Sequence, residues 1–269
     1  MKRLASALAA LALAFAASVG AAELRLGATT TLDDSGILAV LVPAFTASRA
    51  VAVRPIIAGT GQVMKYAEAG DVDVVLTHSR GDEEALIARG VGKARADVMW
   101  NDFVIAGPSA DPARVRGMRD APQALKRIRE AGAKFVTRGD ESGTHRKELQ
   151  LWAAAGGLAT WPGYLSAGQG AGRTLMMAHE LDAYDLVDRA TLKQMVRRFP
   201  LAILVEGDPR LLNEYAVTTL RPSPRGTLNE RDAEAFASWI VSDEARRLIS
   251  GYRVEGERVF YLPQEARAR

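Results

Sequence analysis

The sequence contains no cysteine. No disulfide can therefore cross-link the fold, no thiolate can ligate a metal ion, and no lipid can be attached through an N-terminal cysteine. Stability has to come from buried apolar side chains, and 269 residues are enough to bury one large core or two smaller ones. With 48% hydrophobic and 25% charged residues, the composition is that of an ordinary globular protein.

An excess of charge of either sign is also lacking. The chain has 35 basic and 32 acidic residues, which gives a net charge of +3. Lys2 and Arg3 are the only charged residues in positions 1–22, so removal of that segment would leave +3 − 2 = +1. Nucleic-acid-binding proteins normally carry a strongly basic surface. We therefore expect no nucleic acid among the partners of this chain.

Long apolar runs are absent except at the N-terminus. Met1–Arg3 is basic, Leu4–Val19 is almost wholly apolar, and the small residues Ala21 and Ala22 follow. This order is typical of a secretory signal peptide, and the apolar run is shorter than the ~20 residues that a membrane span needs. We predict that residues 1–22 are a signal peptide, cleaved after Ala21 or Ala22, and that the mature protein is exported.

The signatures of common catalytic sites are missing as well. His78, His145 and His179 are the three histidines, and they form neither H-E-x-x-H nor another metal-like spacing. The sequence has no G-x-S-x-G elbow and no G-x-x-x-x-G-K-[ST] phosphate loop. We expect no catalytic residues, no cofactor and no bound metal ion. The alternative from another class is an exported hydrolase or transferase that acts on a phosphorylated substrate.

The rest of the chain alternates short apolar runs with amphipathic segments, which predicts a βαβαβ arrangement and helices on both faces of the sheets. The predicted strands are residues 24–28, 51–58, 72–76, 103–106, 134–137 and 201–205. Crossing strands near 98–106 and 198–206 would divide the chain into two α/β lobes. We predict lobe 1 to comprise residues 23–100 and 201–269, and lobe 2 to comprise 101–200.

Three predicted strand-to-helix junctions combine hydroxyl side chains, glycines and a helix start. They are Ala28–Gly36, Gly59–Gln62 and Arg138–Thr144. Helix N-termini present unpaired N–H groups, and glycine lets a ligand approach the backbone, so such junctions suit an anion. Arg138 would add charge-assisted hydrogen bonds. The alternative interpretation is that each junction is an ordinary helix cap.

Six ordered segments of the chain match one known family. They are A-T-T-T-L-D-D-S-G from Ala28, G-T-G-Q from Gly59, G-D-V-D-V-V-L-T-H from Gly70, V-M-W-N-D-F-V-I-A-G-P from Val98, R-G-D-E-S-G-T-H-R-K-E from Arg138 and V-E-G-D-P from Val205. On these segments the sequence resembles the periplasmic tungstate-binding proteins of ABC uptake systems. The resemblance implies a two-lobe periplasmic-binding-protein fold of type II, with mixed sheets, helices on both faces and a hinge between the lobes.

The resemblance also implies a function. The chain would be a solute-binding component that holds tungstate, as a whole oxyanion, between its lobes and delivers it to an ABC permease in the inner membrane. Molybdate, phosphate or sulfate are the alternative ligands, and a monomer is expected. The ligand-binding residues implied by the matching motifs are Thr29, Thr30, Thr31, Thr60, Gly61, Arg138, Ser142, Gly143 and Thr144.

One of these motifs differs from the family. The family's Thr-Thr-Thr-Ser stretch falls on residues 28–31 when aligned without a gap, so that Ala28 replaces the first Thr and Thr31 the final Ser. A one-residue gap restores the three Thr and places Leu32 near the Ser. A hydroxyl remains at Thr29 and its two successors in either alignment.

Overall fold

The computed structural model describes residues 23–223 and 226–268, so the predicted signal peptide lies outside the described residues. Its strands are numbered in chain order. They are β1 Leu24–Thr29, β2 Val53–Ala58, β3 Val74–Thr77, β4 Gly92–Gly107, β5 Phe135–Thr137, β6 Tyr164–Ser166, β7 Tyr184–Asp188, β8 Ala202–Val205, β9 Leu212–Leu220, β10 Arg253–Val254 and β11 Glu257–Arg258.

Helices connect most of these strands. They are α1 Thr30–Asp34, α2 Leu38–Arg49, α3 Thr60–Ala69, α4 Arg80–Ala88, α5 Ala121–Glu130, α6 Gly143–Ala154, α7 Ala171–Glu180, α8 Arg189–Met195, α9 Glu230–Ile240 and α10 Asp243–Gly251. Short 3₁₀ turns cover Pro209–Leu211 and Pro263–Ala268. Within the described part of the chain, none of these helices combines the length and apolar character needed to cross a membrane.

The first lobe is built on strands in the order β2-β1-β3-β9-β4, in which β1, β2 and β3 are parallel and β9 is antiparallel to both neighbours. Successive side chains of a strand point to opposite faces. Leu76 therefore packs with Phe45 and Trp239 of α2 and α9, whereas Val75 packs with Leu86 of α4 on the other face. Two cores, one on each face, hold this lobe together.

The second lobe has the same layered design. The far end of β4 pairs with β7 and β8, and β5 lies between β7 and β6 in parallel. Phe103 packs with Trp152 of α6 on one face, while Val104 packs with Leu175 of α7 on the other. The predicted α/β fold with mixed sheets and helices on both faces is therefore confirmed in both lobes.

The segment predicted as the second crossing strand does not cross between the lobes. Ala202–Val205 pairs with β4 beyond Ile105 and packs Leu204 against Phe103, so it belongs to the second sheet. The chain returns to the first sheet only at β9, which the sequence does not predict as a strand because it contains the polar residues Asn213 and Thr218. We propose that lobe 2 extends to about residue 211 rather than ending at residue 200.

A buried polar network lies where β4 and β9 pass between the lobes. Asn213 Nδ2 donates to Asn101 Oδ1 at 2.7 Å and to the Tyr215 hydroxyl at 2.9 Å. Asn101 Nδ2 in turn donates to Asp188 Oδ1 at 3.1 Å, and Asp188 also caps α8. Because buried polar groups need defined partners, this network fixes how the two sheets join.

A substitution of Phe45 tests the packing in the core of the first lobe. Its buried ring lies 5.1 Å from that of Phe236 and 5.4 Å from that of Trp239. We expect Phe45→Ala to lower the free energy of unfolding by about 3–5 kcal/mol, because it leaves a cavity between these rings. Urea denaturation followed by circular dichroism measures the loss. The exposed Leu158 provides the control Leu158→Ala, and equal losses in the two variants would contradict this packing.

Candidate anion-binding site

The three predicted junctions meet at one cleft between the lobes. Each follows the carboxyl end of a parallel strand: Thr29 ends β1, Gly59 follows β2 and Arg138 follows β5. Carboxyl ends of parallel strands gather at one edge of a sheet, which is where ligands bind in open α/β folds. The cleft has a volume of about 310 Å³ and is lined by Thr30, Gly59, Gly61, Gln62, Lys65, Asp140, Glu141, Gly168, Gln169 and Gly170.

Most of the predicted site residues are buried, and two of them line this cleft. Thr30 and Gly61 are partly exposed on its wall. The buried members are Thr29, Thr31, Thr60, Arg138, Ser142, Gly143 and Thr144. Thr30 and Thr31 form the first turn of α1, and Gly143 and Thr144 form the first turn of α6. The structure thus brings all three junctions together, and the contact of each residue with a ligand remains a prediction.

Arg138 is 1% exposed and is held along one edge of its guanidinium group. Its Nε donates to the Gln169 carbonyl at 2.9 Å and to Asp140 Oδ2 at 3.1 Å. Its Nη2 donates to the same carboxylate oxygen and, across the cleft, to Thr30 Oγ1 at 3.4 Å. Among the residues that the structure describes, Nη1 has no hydrogen-bond partner. A buried cationic donor without a partner is costly, so this atom suits an acceptor of opposite charge.

Two threonine hydroxyls share this property. Thr29 Oγ1 and Thr60 Oγ1 are buried and find no partner within residues 23–223 and 226–268. Thr29 is the N-cap of α1, and Thr60 is the first residue of α3. Each of the three junctions therefore supplies one buried donor that is unpaired among the described residues, namely Thr29 Oγ1, Thr60 Oγ1 and Arg138 Nη1. Together they favour an anionic ligand.

Asp140 is positioned to orient donors. Its Oδ2 accepts from Arg138, and its Oδ1 accepts from the Ser142 backbone N–H at 3.1 Å. Both carboxylate oxygens are thus engaged, as expected for a residue that organises the loop. Ser142 caps α6 by accepting from His145 N–H at 3.2 Å, which leaves the positive end of the helix dipole at the cleft.

His78 was not predicted to be part of this region. It follows β3, is buried, and packs its ring 5.1 Å from that of Tyr215. A Cβ added at Gly143 would lie 2.6 Å from His78 Cε1, so only glycine allows α6 to approach this ring. Burial and the nearby charge of Arg138 lower the pKa of His78 to about 4. Its sequence signal is only its place after a buried strand.

Comparison with known proteins identifies the family. The profile of the PBP superfamily domain matches residues 16–244. The chain belongs to this superfamily. It is 41% identical to the tungstate-binding protein TupA of Peptoclostridium acidaminophilum over 232 residues, which cover 86% of this chain and 81% of that protein. The resemblance to tungstate-binding proteins is therefore confirmed, and so is the expectation of a solute-binding protein rather than an enzyme.

Two solved structures share the fold of this PBP-superfamily chain. The tungstate ABC transporter protein from Geobacter sulfurreducens has a TM-score of 0.79 and 41% identity, covering 86% of this chain and 99% of that one. The tungstate-binding protein TupA from Desulfovibrio alaskensis G20 has a TM-score of 0.75 and 37% identity, covering 89% of this chain and 98% of that one. Both likenesses confirm the predicted two-lobe fold.

The low pKa of His78 makes stability depend on pH. In the window between pH 6.5 and pH 4, the unfolded chain binds a proton at this ring and the folded protein does not. Stability from this residue is therefore present above pH 6.5 and lost as the pH falls, by on the order of 3 kcal/mol at most. We expect His78→Gln to reduce the acid sensitivity of urea unfolding in this window. The control is His179→Gln, and an unchanged pH profile in His78→Gln would contradict the prediction.

Proposed function

We propose that this chain is the substrate-binding component of an ABC uptake system, and that it captures tungstate between its lobes and delivers it to the permease. The observation that carries the proposal is the set of buried donors that have no partner in the described part of the chain, namely Thr29 Oγ1, Thr60 Oγ1 and Arg138 Nη1. Relatives at about 40% identity that are named for tungstate support the choice of ligand.

The donors favour a fully deprotonated oxyanion. Tungstate, molybdate and sulfate present only acceptor oxygens, which match hydroxyl, backbone and guanidinium donors. Phosphate keeps a proton at neutral pH and needs an acceptor in its site. Both oxygens of Asp140 already accept hydrogen bonds, from Ser142 N–H and from the guanidinium group of Arg138, so Asp140 is a weaker acceptor for such a proton. Phosphate is therefore the least favoured of the candidate ligands.

The same proposal includes the export of the protein and its working form. Residues 1–22 direct export and are removed, and the mature chain works as a monomer in the periplasm. Closure of the two lobes over the oxyanion would present a loaded form to the permease, which is a hinge transition of a familiar kind. Size-exclusion chromatography with light scattering on the mature protein tests the monomer.

Ligand choice can be tested directly. We expect tungstate to raise the melting temperature of the mature protein most, because a ligand that binds only the folded state stabilises it by mass action. A thermal-shift series with tungstate, molybdate, sulfate, phosphate and vanadate measures the order. A larger shift with molybdate than with tungstate would indicate that molybdate is the preferred ligand. The absence of a shift with any of these ions would contradict an oxyanion-binding function.

Thr60 offers a clean test of the donor set, because Thr60→Val changes a hydroxyl to a methyl group and leaves the size of the side chain unchanged. We expect about ten- to hundredfold weaker tungstate binding in isothermal titration calorimetry, since a hydrogen bond to a charged ligand is lost. Thr218 is the matched control: its hydroxyl is also buried and unpaired among the described residues, but it lies within β9. Equal affinities of Thr60→Val and Thr218→Val would remove Thr60 from the site.

A further inference from the structure

An ion pair joins the two lobes beside the cleft. Arg146 Nη1 donates to Asp82 Oδ1, and Asp82 Oδ2 also accepts from Ser79 Oγ at 2.6 Å. Asp82 lies in the first turn of α4, and Arg146 lies in the first turn of α6. We call Asp82 and Arg146 the cleft ion pair. Neither residue belongs to the set of ligand contacts proposed above.

The two helices of the cleft ion pair are anchored in different lobes. Leu86 of α4 is buried in a core of the first lobe, whereas Leu151 and Trp152 of α6 are buried in a core of the second. Arg146 Nη2 also lies 3.4 Å from the position that a Cβ would take at Gly61, the residue after Thr60. The arginine of the second lobe therefore reaches both α4 and the start of α3.

Two other ion pairs near the lobe boundary join elements that already pack against each other. Lys193 pairs with Glu257 at 2.6 Å, and Arg197 pairs with Glu255 at 2.8 Å, which links the α8 region to the β10–β11 hairpin. However, Ala190 of α8 is itself buried in a core of the first lobe. These two pairs connect parts that packing already holds together. The cleft ion pair joins helices that share no core, so an opening of the cleft would break it together with the hydrogen bond from Arg138 to Thr30.

We propose that the cleft ion pair holds the lobes together over the bound oxyanion and thereby sets the affinity for it without touching it. This inference rests on the proposed function. If the ligand binds the closed arrangement, its apparent dissociation constant rises as the closed fraction falls. Breaking the cleft ion pair therefore weakens binding while every donor in the site remains in place.

Simple electrostatics predicts the opposite sign for one variant. Asp82→Asn removes a negative charge from the surroundings of an anion, which by charge alone would strengthen binding. The cleft ion pair instead predicts weaker binding, because the partner of Arg146 is lost. Asparagine can still accept from Ser79 Oγ, so the start of α4 keeps its local hydrogen bond.

The experiment is a double-mutant cycle on tungstate affinity, measured by isothermal titration calorimetry. We expect Asp82→Asn and Arg146→Gln each to weaken binding roughly two- to fivefold, as for a partly exposed ion pair. The double variant should bind no more weakly than Arg146→Gln alone, since the pair can be broken only once. The control is Glu84→Gln, which removes an acid from the same helix whose partner, Arg80, lies on that helix too. It should leave affinity unchanged.

Small-angle X-ray scattering supplies a readout that does not depend on the ligand. We expect Asp82→Asn without added oxyanion to have a larger radius of gyration than Glu84→Gln. Unchanged scattering, together with equal or tighter tungstate binding by Asp82→Asn, would overturn the inference. If the native protein binds none of the oxyanions, the proposed function fails, and the scattering comparison still decides whether the cleft ion pair holds the lobes together.

Discussion

Burial of the Arg138 guanidinium group is the constraint on which the rest of the site depends. A buried cation is tolerated only when its donors are satisfied. Asp140 and the Gln169 carbonyl satisfy one edge, and this fixes the plane of the group and the direction in which Nη1 points. The loop after β5 can adopt this arrangement because its second residue is glycine. Gly139 has a φ of +61°, and a Cβ there would collide with Ser166.

The charges around Arg138 are arranged to leave it attractive to an anion. Asp140 is its paired carboxylate, but it is turned toward the loop by the Ser142 backbone N–H. Asp185 is buried nearby, and burial raises its pKa well above the usual range, which favours the neutral carboxyl. The N-termini of helices α3 and α6 add positive potential at the cleft.

The sequence offered those candidate donors whose signal depends on local chemistry, and their contact with a ligand stays a prediction. Thr60 and Arg138 could be chosen because hydroxyl, glycine and arginine residues at a strand-to-helix junction indicate anion donors whatever surrounds them. His78 could not be chosen, because its position depends on the approach of Gly143 from the other lobe. Strand β9 was not predicted for a related reason. Its polar residues can be buried because they form hydrogen bonds with residues distant in sequence, such as Asn101. The proposed shift of the second lobe boundary to about residue 211 rests on the same strand.

Strand β4 runs without interruption through both sheets, paired with β9 up to Asp102 and with β7 from Phe103 onward. A rotation between the lobes has to be absorbed by a few backbone torsions in a hydrogen-bonded strand rather than by a loose linker. An open form would therefore sample few relative orientations, and little rotational freedom would be lost on closure of the cleft. More of the binding energy from a small ion would then be retained as affinity.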